Sequence, residues 1–202
     1  MRKRVVSMWF PNLPSDRVAR AGAQGADDTR PFVVTHHAKN TDRIYCLNGA
    51  AAAQGLHRDM GFSDARAYCP DLQSCPADPI ADARFLQMLA RWSKRYCPWV
   101  GVDGMDGLLL NIAGAAHLFG GEDAMLDDMR GRLLCAGLQG RVAVADTRGA
   151  AWALTHFGKR AQGEDIAIEH LHALARVTLS ARHLGELTEG PTSGFEVATL
   201  AL

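Results

Sequence analysis

The feature that most constrains the fold is an alternation of helix and strand patterns after residue 79. The predicted order is helix, strand pair, helix, strand and helix, over residues 79–96, 100–112, 122–135, 141–145 and 149–157. Leu108 to Ile112 is almost continuously apolar, as expected for a strand covered on both faces. With a further apolar strand at Arg4–Phe10, this order predicts an α+β domain with helices packed on one face of an antiparallel or mixed sheet.

Residues 12–78 carry shorter patterns, which we interpret as a small lobe inserted after the first strand. Pro31–Thr35 is rich in β-branched residues and predicts a strand. Short helices are predicted at Asn48–Gly55 and Ser63–Pro70. Each of these helices begins with a residue type whose side chain caps helix N-termini. Past residue 160 the patterns weaken, and a helical pattern remains at Glu169–Leu184.

Composition places the chain among ordinary globular proteins. Its 22 basic and 22 acidic residues give a net charge of zero, which argues against a strongly basic nucleic-acid clamp but allows a local basic patch. Neither a signal peptide nor an apolar stretch of membrane-spanning length is recognisable, so we expect a cytoplasmic protein without a membrane partner. The five cysteines form no CxxC pair, and we expect reduced, mostly buried thiols. A zinc site at Cys69 and Cys75 would lack the usual ligand spacing.

Four motifs occur in one order between residues 4 and 158. They are Ser7-Met-Trp-Phe-Pro-Asn-Leu-Pro-Ser-Asp16, Asp106-Gly-Leu-Leu-Leu110, Ala116-His-Leu-Phe-Gly-Gly-Glu122 and Ala145-Asp-Thr-Arg-Gly-Ala-Ala-Trp-Ala-Leu154. Together they resemble the fingers-to-palm stretch of Y-family translesion DNA polymerases, in particular their ImuB-like mutasome group. The resemblance implies a palm-like domain at residues 1–11 and 79–160, a fingers-like lobe at 12–78, and a poorly matched tail at 161–202. The thumb and little-finger domains are not recognisable.

The resemblance also identifies the positions of the catalytic acids. Members of this family hold two Mg²⁺ ions with one acid on the first strand and an Asp-Glu pair at a later turn. The first acid falls on Ser7, and the pair falls on Asp106 and Gly107. Mg²⁺ requires oxygen ligands at fixed positions, so we expect the metal site to be lost and Asp106 to be vestigial. The alternative is that Asp103, three residues earlier, helps Asp106 to hold metal.

Positions that would bind the triphosphate have changed as well. The family's tyrosine and arginine on the fingers helix fall on Gly49 and Ala52, so both side chains are lost. A phosphate-binding lysine falls on Arg148, which keeps the charge. The aromatic residue that excludes ribonucleotides falls near Asn12.

Several of these residues also have a purely structural interpretation. Asp106 before a glycine is typical of a turn. Arg91, Lys94 and Arg95 form a basic cluster on the 79–96 helix, which is either a solvated face or a contact with the DNA backbone. Three tryptophans are interpreted as core residues rather than base-stacking platforms: Trp9, Trp92 and Trp152.

The resemblance therefore implies a non-catalytic scaffold in error-prone translesion synthesis and DNA repair, with nucleotidyltransferase activity lost and no cofactor. Its implied partners are primer-template DNA, a RecA-like accessory protein, an error-prone C-family polymerase and the sliding clamp. No clamp-binding motif is recognisable in this chain. The first alternative is a residually active polymerase that uses Mg²⁺ at Asp103 and Asp106. The second is an unrelated α+β binding module.

Overall fold

The computed structural model describes residues 3–22 and 29–158. Its strands are β1 (Val5–Trp9), β2 (Phe32–Ala38), β3 (Thr41–Leu47), β4 (Gln73–Pro76), β5 (Val100–Asp103), β6 (Gly107–Asn111) and β7 (Arg141–Ala145). Its helices are α1 (Leu13–Arg20), α2 (Gly49–Ala53), α3 (Phe62–Tyr68), α4 (Pro79–Ser93), α5 (Glu122–Cys135) and α6 (Arg148–Phe157). A 3₁₀ turn covers Ala116–Phe119. This mixture of sheets and helices confirms the predicted α+β class.

The chain divides into two compact units. Among the described residues, the first contains β1 and residues 89–132 and 140–158, and the second contains residues 10–22, 29–88 and 133–139. The predicted limits of the palm-like and fingers-like parts remain predictions. The helix and the tail predicted beyond residue 160 lie outside the described residues.

The sheet of the first unit is built around β1. Its strand order is β5-β6-β1-β7, and every neighbouring pair is antiparallel. Ser7, at the centre of β1, lies opposite Leu109 of β6 and Ala143 of β7. β1 is an inner strand, and Val5–Met8, whose side chains alternate between the two faces of the sheet, are all buried.

The two faces of this sheet carry different helices. Adjacent residues of a strand point to opposite faces, so the side chains of Ser7 and Met8 lie on opposite faces of this sheet. Ser93 of α4 lies 3.8 Å from the Met8 sulfur, whereas Thr155 of α6 lies 3.1 Å from the Ser7 hydroxyl. We call these the α4 face and the α6 face. Helices therefore pack on both faces of the sheet, whereas the sequence pattern predicted helices on one face only.

Helix α4 buries a stripe that is displaced from the predicted one. The sequence pattern predicted a helix to Tyr96 with an apolar stripe formed by Phe85, Leu89, Trp92 and Tyr96. The structure ends the helix at Ser93 and buries Asp82, Leu86, Leu89 and Ser93. Hydrophobicity alone misplaced the stripe because two polar residues lie in it: Ser93 donates to the carbonyl of Leu89, and Asp82 accepts from Arg17 within the second unit.

The second unit contains a sheet of order β3-β2-β4, in which β2 pairs with β3 antiparallel and with β4 parallel. Its main core cluster lies between these strands and the short helices α2 and α3. The sequence patterns did not predict β3, β4 or α1. Pro14 was interpreted as ending the first strand, but proline is well accommodated in the first turn of a helix, where it stands in α1.

The predicted caps of the two short helices had different outcomes. Asn48 caps α2 as predicted, because its side chain accepts a hydrogen bond from the Ala51 amide at 3.0 Å. The prediction for Ser63 was wrong: α3 begins one residue earlier, at Phe62, and its N-cap is Gly61.

Across residues 3–22 and 29–158, every helix falls short of the length and apolar character needed to cross a membrane.

Candidate functional site

Ser7 stands at the position matched to the first catalytic acid, and it is closed to solvent. Only 2% of its surface is exposed, and its hydroxyl lies 3.1 Å from that of Thr155, which is itself 1% exposed. Helix α6 therefore covers this point of the sheet. The hydroxyl pair satisfies both buried groups, so the local chemistry is that of a core hydrogen bond.

Asp106 stands in the turn between β5 and β6 and is bound to β1. The register places Trp9 of β1 opposite Gly107, and the Trp9 indole Nε1–H donates to Asp106 Oδ2 at 2.9 Å. One oxygen of the remaining matched carboxylate is thus held by an internal donor. A hydrogen bond to a charged acceptor is among the stronger kinds in proteins.

Gly107, at the third matched position, has no room for a side chain. It is buried, and a Cβ atom added there would lie 2.7 Å from the backbone oxygen of Asp103 and 3.3 Å from its Cβ. The first distance is shorter than real Cβ contacts allow. The backbone of the β5–β6 hairpin therefore leaves no space for an acidic side chain at this position.

Asp103, the acid considered as a substitute ligand, is paired with Arg148. The Arg148 guanidinium lies 2.5 Å from Asp103 Oδ1, and the two side chains are 60% and 16% exposed. Arg148 is the first residue of α6, so this pair ties the start of α6 to the end of β5. Arg148, matched to a phosphate-binding lysine, thus has an internal anionic partner.

An aromatic stack covers the α6 face beside Asp106. The His156 ring lies between two indoles, with ring centroids 4.1 Å from Trp9 and 4.0 Å from Trp152, both at 22°. The Arg141 guanidinium lies 5.8 Å from the Trp9 ring and donates to the carbonyl of His156 at 3.3 Å. Trp9 and Trp152 were predicted as core residues, but the structure leaves both half-buried, stacked on His156.

Sequence reasoning missed His156 in this stack. The spacing of four residues between Trp152 and His156 places them on one side of a helix, and this was a usable signal. Nothing local indicated that Trp9, more than 140 positions earlier, completes the stack.

The positions matched to the lost triphosphate ligands lie in the second unit. Gly49 and Ala52 are both on α2 and both exposed. Asn12 donates to Gln139 Oε1 at 3.1 Å, and a Cβ atom on Gly49 would lie 3.7 Å from the same glutamine's amide nitrogen. The small residues on α2 therefore present backbone and methyl groups where the family has donors to phosphate.

The residues present do not fit a site for two Mg²⁺ ions. Among the described residues there is no group of three or more His, Cys, Asp or Glu side chains placed to share an ion. Of the three matched positions one is a buried hydroxyl and one is a glycine, and the single carboxylate accepts from Trp9. Two divalent ions need more oxygen ligands than this set supplies.

The predicted basic cluster is exposed, but only part of it lies on α4. Arg91 stands on the side of the helix opposite its buried stripe, and Lys94 and Arg95 lie in the turn that directly follows the helix. The Arg95 guanidinium lies 4.9 Å from the Trp92 ring, and its Nε donates to the Trp92 carbonyl at 3.2 Å.

Solved Y-family DNA polymerases share this fold. A post-insertion binary complex of Dbh DNA polymerase matches 75% of this chain and 45% of its own length, at 16% identity and a TM-score of 0.61. DinB from Sulfolobus solfataricus matches the same shares at 15% identity and a TM-score of 0.58. The architecture is therefore of the Y-family polymerase class, as the sequence motifs predicted.

The chain belongs to the impB/mucB/samB family, whose sequence profile matches residues 22–156. It is also similar to protein ImuB from two strains of Caulobacter vibrioides, with 44% identity over 139 residues. That alignment spans 67% of this chain and 29% of ImuB. The predicted resemblance to the ImuB-like group is confirmed.

Proposed function

We propose that this protein is a non-catalytic Y-family polymerase homologue that acts as a scaffold in error-prone translesion synthesis and DNA repair. The observation that carries the proposal is the state of the two matched side chains that remain: Ser7 is buried against Thr155, and Asp106 accepts from Trp9. A polymerase needs these positions open to metal and nucleotide. Here Ser7 joins the sheet to α6, and Asp106 joins the β5–β6 turn to β1.

Substitution at the neighbouring positions supports the same proposal. Gly107 excludes a side chain, and Gly49 and Ala52 present none of the donors that a triphosphate would need. Losses at both the metal-binding and the nucleotide-binding positions are consistent with a fold kept for binding rather than for chemistry.

DNA is the first partner in this proposal. The similar solved structures include complexes of Dbh DNA polymerase, and a fold of this class can hold primer-template DNA through its phosphates. The further partners are a RecA-like accessory protein, an error-prone C-family polymerase and the sliding clamp. These partners are proposed from the similarity to ImuB. The aligned segment spans 29% of the length of ImuB.

Residual polymerase activity is the competing function, and one observation favours keeping it. Asp103 ends β5, and Asp106 lies in the turn that follows it. Each carboxylate accepts a hydrogen bond from one other side chain, and neither is buried in the core. Metal binding there would require Asp103 to leave Arg148 and Asp106 to leave Trp9. Both exchanges would have to occur together to supply even two carboxylates.

The test is a primer-extension assay on the full chain with Mg²⁺ and, separately, Mn²⁺, run beside DNA binding measured by fluorescence anisotropy. The proposal predicts binding of the primer-template without incorporation in either metal. Incorporation that disappears in Asp106→Ala would establish the competing function. Absence of both binding and incorporation would contradict the DNA-binding part of the proposal.

A further inference from the structure

The exposed side of α4 carries a concentration of positive charge that the polymerase-like site does not use. Residues 83–102 contain four basic residues and no acidic one, although the whole chain has equal numbers of each. All four are exposed, and three of them lie close together in the sequence: Arg91 in the last turn of α4, and Lys94 and Arg95 directly after the helix. We call these three residues, with Trp92, the α4 basic surface.

This surface points away from the residues matched to the catalytic site. Ser93 of α4 contacts Met8 on one face of the sheet. On the α6 face, Ser7 contacts Thr155, and Trp9 donates to Asp106. Arg91 lies on the side of α4 remote from the sheet, so the sheet and a helix about 10 Å in diameter separate it from that face. Primer-template DNA held on the α6 face would not reach it.

Asp128, an acidic residue whose charge interacts with that of Arg95, is already engaged. Asp128 of α5 accepts from Arg132 at 2.8 Å and from the Tyr96 hydroxyl at 2.7 Å. These two hydrogen bonds, that of Arg132 first, hold the pKa of Asp128 below its usual range, and the charge of Arg95 adds a smaller effect. Asp128 is therefore paired with Arg132, and the three positive charges of the α4 basic surface outnumber its single negative charge.

Trp92 gives the surface an apolar element as well. Its ring is half-buried, packs edge-on against Tyr96 at 5.6 Å and carries the Arg95 guanidinium at 4.9 Å. Arg95 is thus held in one place by the ring and by the Trp92 carbonyl. Tryptophan and arginine that are fixed before binding are the residue types that dominate protein–protein interfaces.

We propose that the α4 basic surface binds a short acidic segment of a partner protein, one with Asp or Glu side chains around an apolar residue. The positive residues and the absence of acids fix the charge of the partner, and Trp92 supplies a contact for its apolar side chain. A surface formed by five consecutive positions, 91–95, suits a peptide segment of a few residues. The inference does not depend on whether the chain is catalytic, since it concerns the opposite face of the sheet.

The test uses a fluorescein-labelled peptide of glutamates around a central leucine and a labelled primer-template duplex, both titrated with the full chain. Arg91→Glu with Arg95→Glu should weaken peptide binding about tenfold, as expected for two reversed charge contacts. The matched control, Arg30→Glu with Arg66→Glu, makes the same charge change at exposed residues of the second unit and should alter it less than about twofold. Duplex affinity of the α4 variant should also stay within about twofold of wild type.

Three outcomes would overturn the proposal. The wild-type chain could fail to bind the peptide at low salt, or the control could weaken peptide binding as much as the α4 variant does. A tenfold loss of duplex binding in the α4 variant would instead make DNA the occupant. Circular dichroism of each variant separates loss of binding from loss of folding. Arg91→Lys with Arg95→Lys keeps the charge and should retain most of the peptide affinity.

Discussion

The indole nitrogen of Trp9 donates a hydrogen bond to Asp106 Oδ2 at 2.9 Å. This contact joins the one carboxylate kept at the matched metal positions to a strand nearly 100 residues earlier in the chain. It gives Asp106 a structural role, so its presence does not require a catalytic one. The consequences can be measured in the stability of variants.

Trp9→Phe and Asp106→Ala should each destabilise the fold, and their effects should not be additive. The hydrogen bond is half-exposed, so we expect it to contribute about 1 kcal/mol. A double-mutant cycle by urea unfolding should give a coupling energy of that size, because each single variant removes the same contact. Additivity within about 0.3 kcal/mol would show that the two side chains do not interact.

Ser7→Asp should fail to restore a metal ligand and should destabilise the fold by about 3 kcal/mol at pH 7, because the introduced carboxylate is buried against Thr155. Burial raises the folded-state pKa of such a group above its unfolded value. The folded state then binds more protons, and stability falls as the pH rises above about 4.

The control for this prediction is Ser7→Ala, which removes one hydrogen bond. It should cost about 1 kcal/mol without that pH dependence. Chemical denaturation at pH 4 and pH 7 checks both variants. A stable aspartate variant with flat pH dependence would mean that α6 does not cover Ser7.

Gly107→Ala should destabilise the fold by about 2 kcal/mol, as overpacking against a fixed neighbour does. The neighbour here is backbone, the Asp103 carbonyl 2.7 Å from the added Cβ, and it cannot swing aside. Gly101 of β5 is the matched control because, in the described part of the chain, no atom beyond its immediate neighbours lies within 4 Å of a Cβ at that position. Gly101→Ala should change the unfolding free energy by less than about 0.5 kcal/mol. Equal effects of the two substitutions would contradict the closed geometry at Gly107.

The five cysteines should differ sharply in reactivity. Cys135 is exposed, and the other four are buried. Burial also raises the pKa of the Cys75 and Cys97 thiols, which keeps them protonated and unreactive near neutral pH. An Ellman titration at pH 8 should find one fast thiol in the native chain and five after unfolding. Two or more fast thiols, or a fast thiol that persists in Cys135→Ser, would contradict this description.

Local sequence patterns were sufficient for the elements with strong periodicity. Helix α5 and strand β7 begin and end where the patterns predicted, and the β5–β6 hairpin lies within the predicted strand pair. Strand β3 was missed because its first half, Thr41-Asp-Arg43, is polar and begins with two exposed residues, so it lacks the apolar run of a covered strand.

The chemistry of the site could be predicted only in part. Motif matching identified Ser7, Asp106 and Gly107 as the positions to inspect, and it predicted that two of three acids are gone. It could not show that Thr155 faces Ser7 or that Trp9 binds Asp106, because both contacts depend on how β1 pairs with distant strands and packs beneath α6. Side-chain partners separated by this much chain leave no local pattern.

The most direct test of the account is a titration of the full chain with Mn²⁺ followed by electron paramagnetic resonance, with Asp106→Ala measured in parallel. We expect weak binding that is the same in both proteins, because Asp106 accepts a hydrogen bond from Trp9 and, among the described residues, belongs to no cluster of three or more His, Cys, Asp or Glu side chains. Saturable binding of one or two Mn²⁺ per chain that is lost in Asp106→Ala would contradict it.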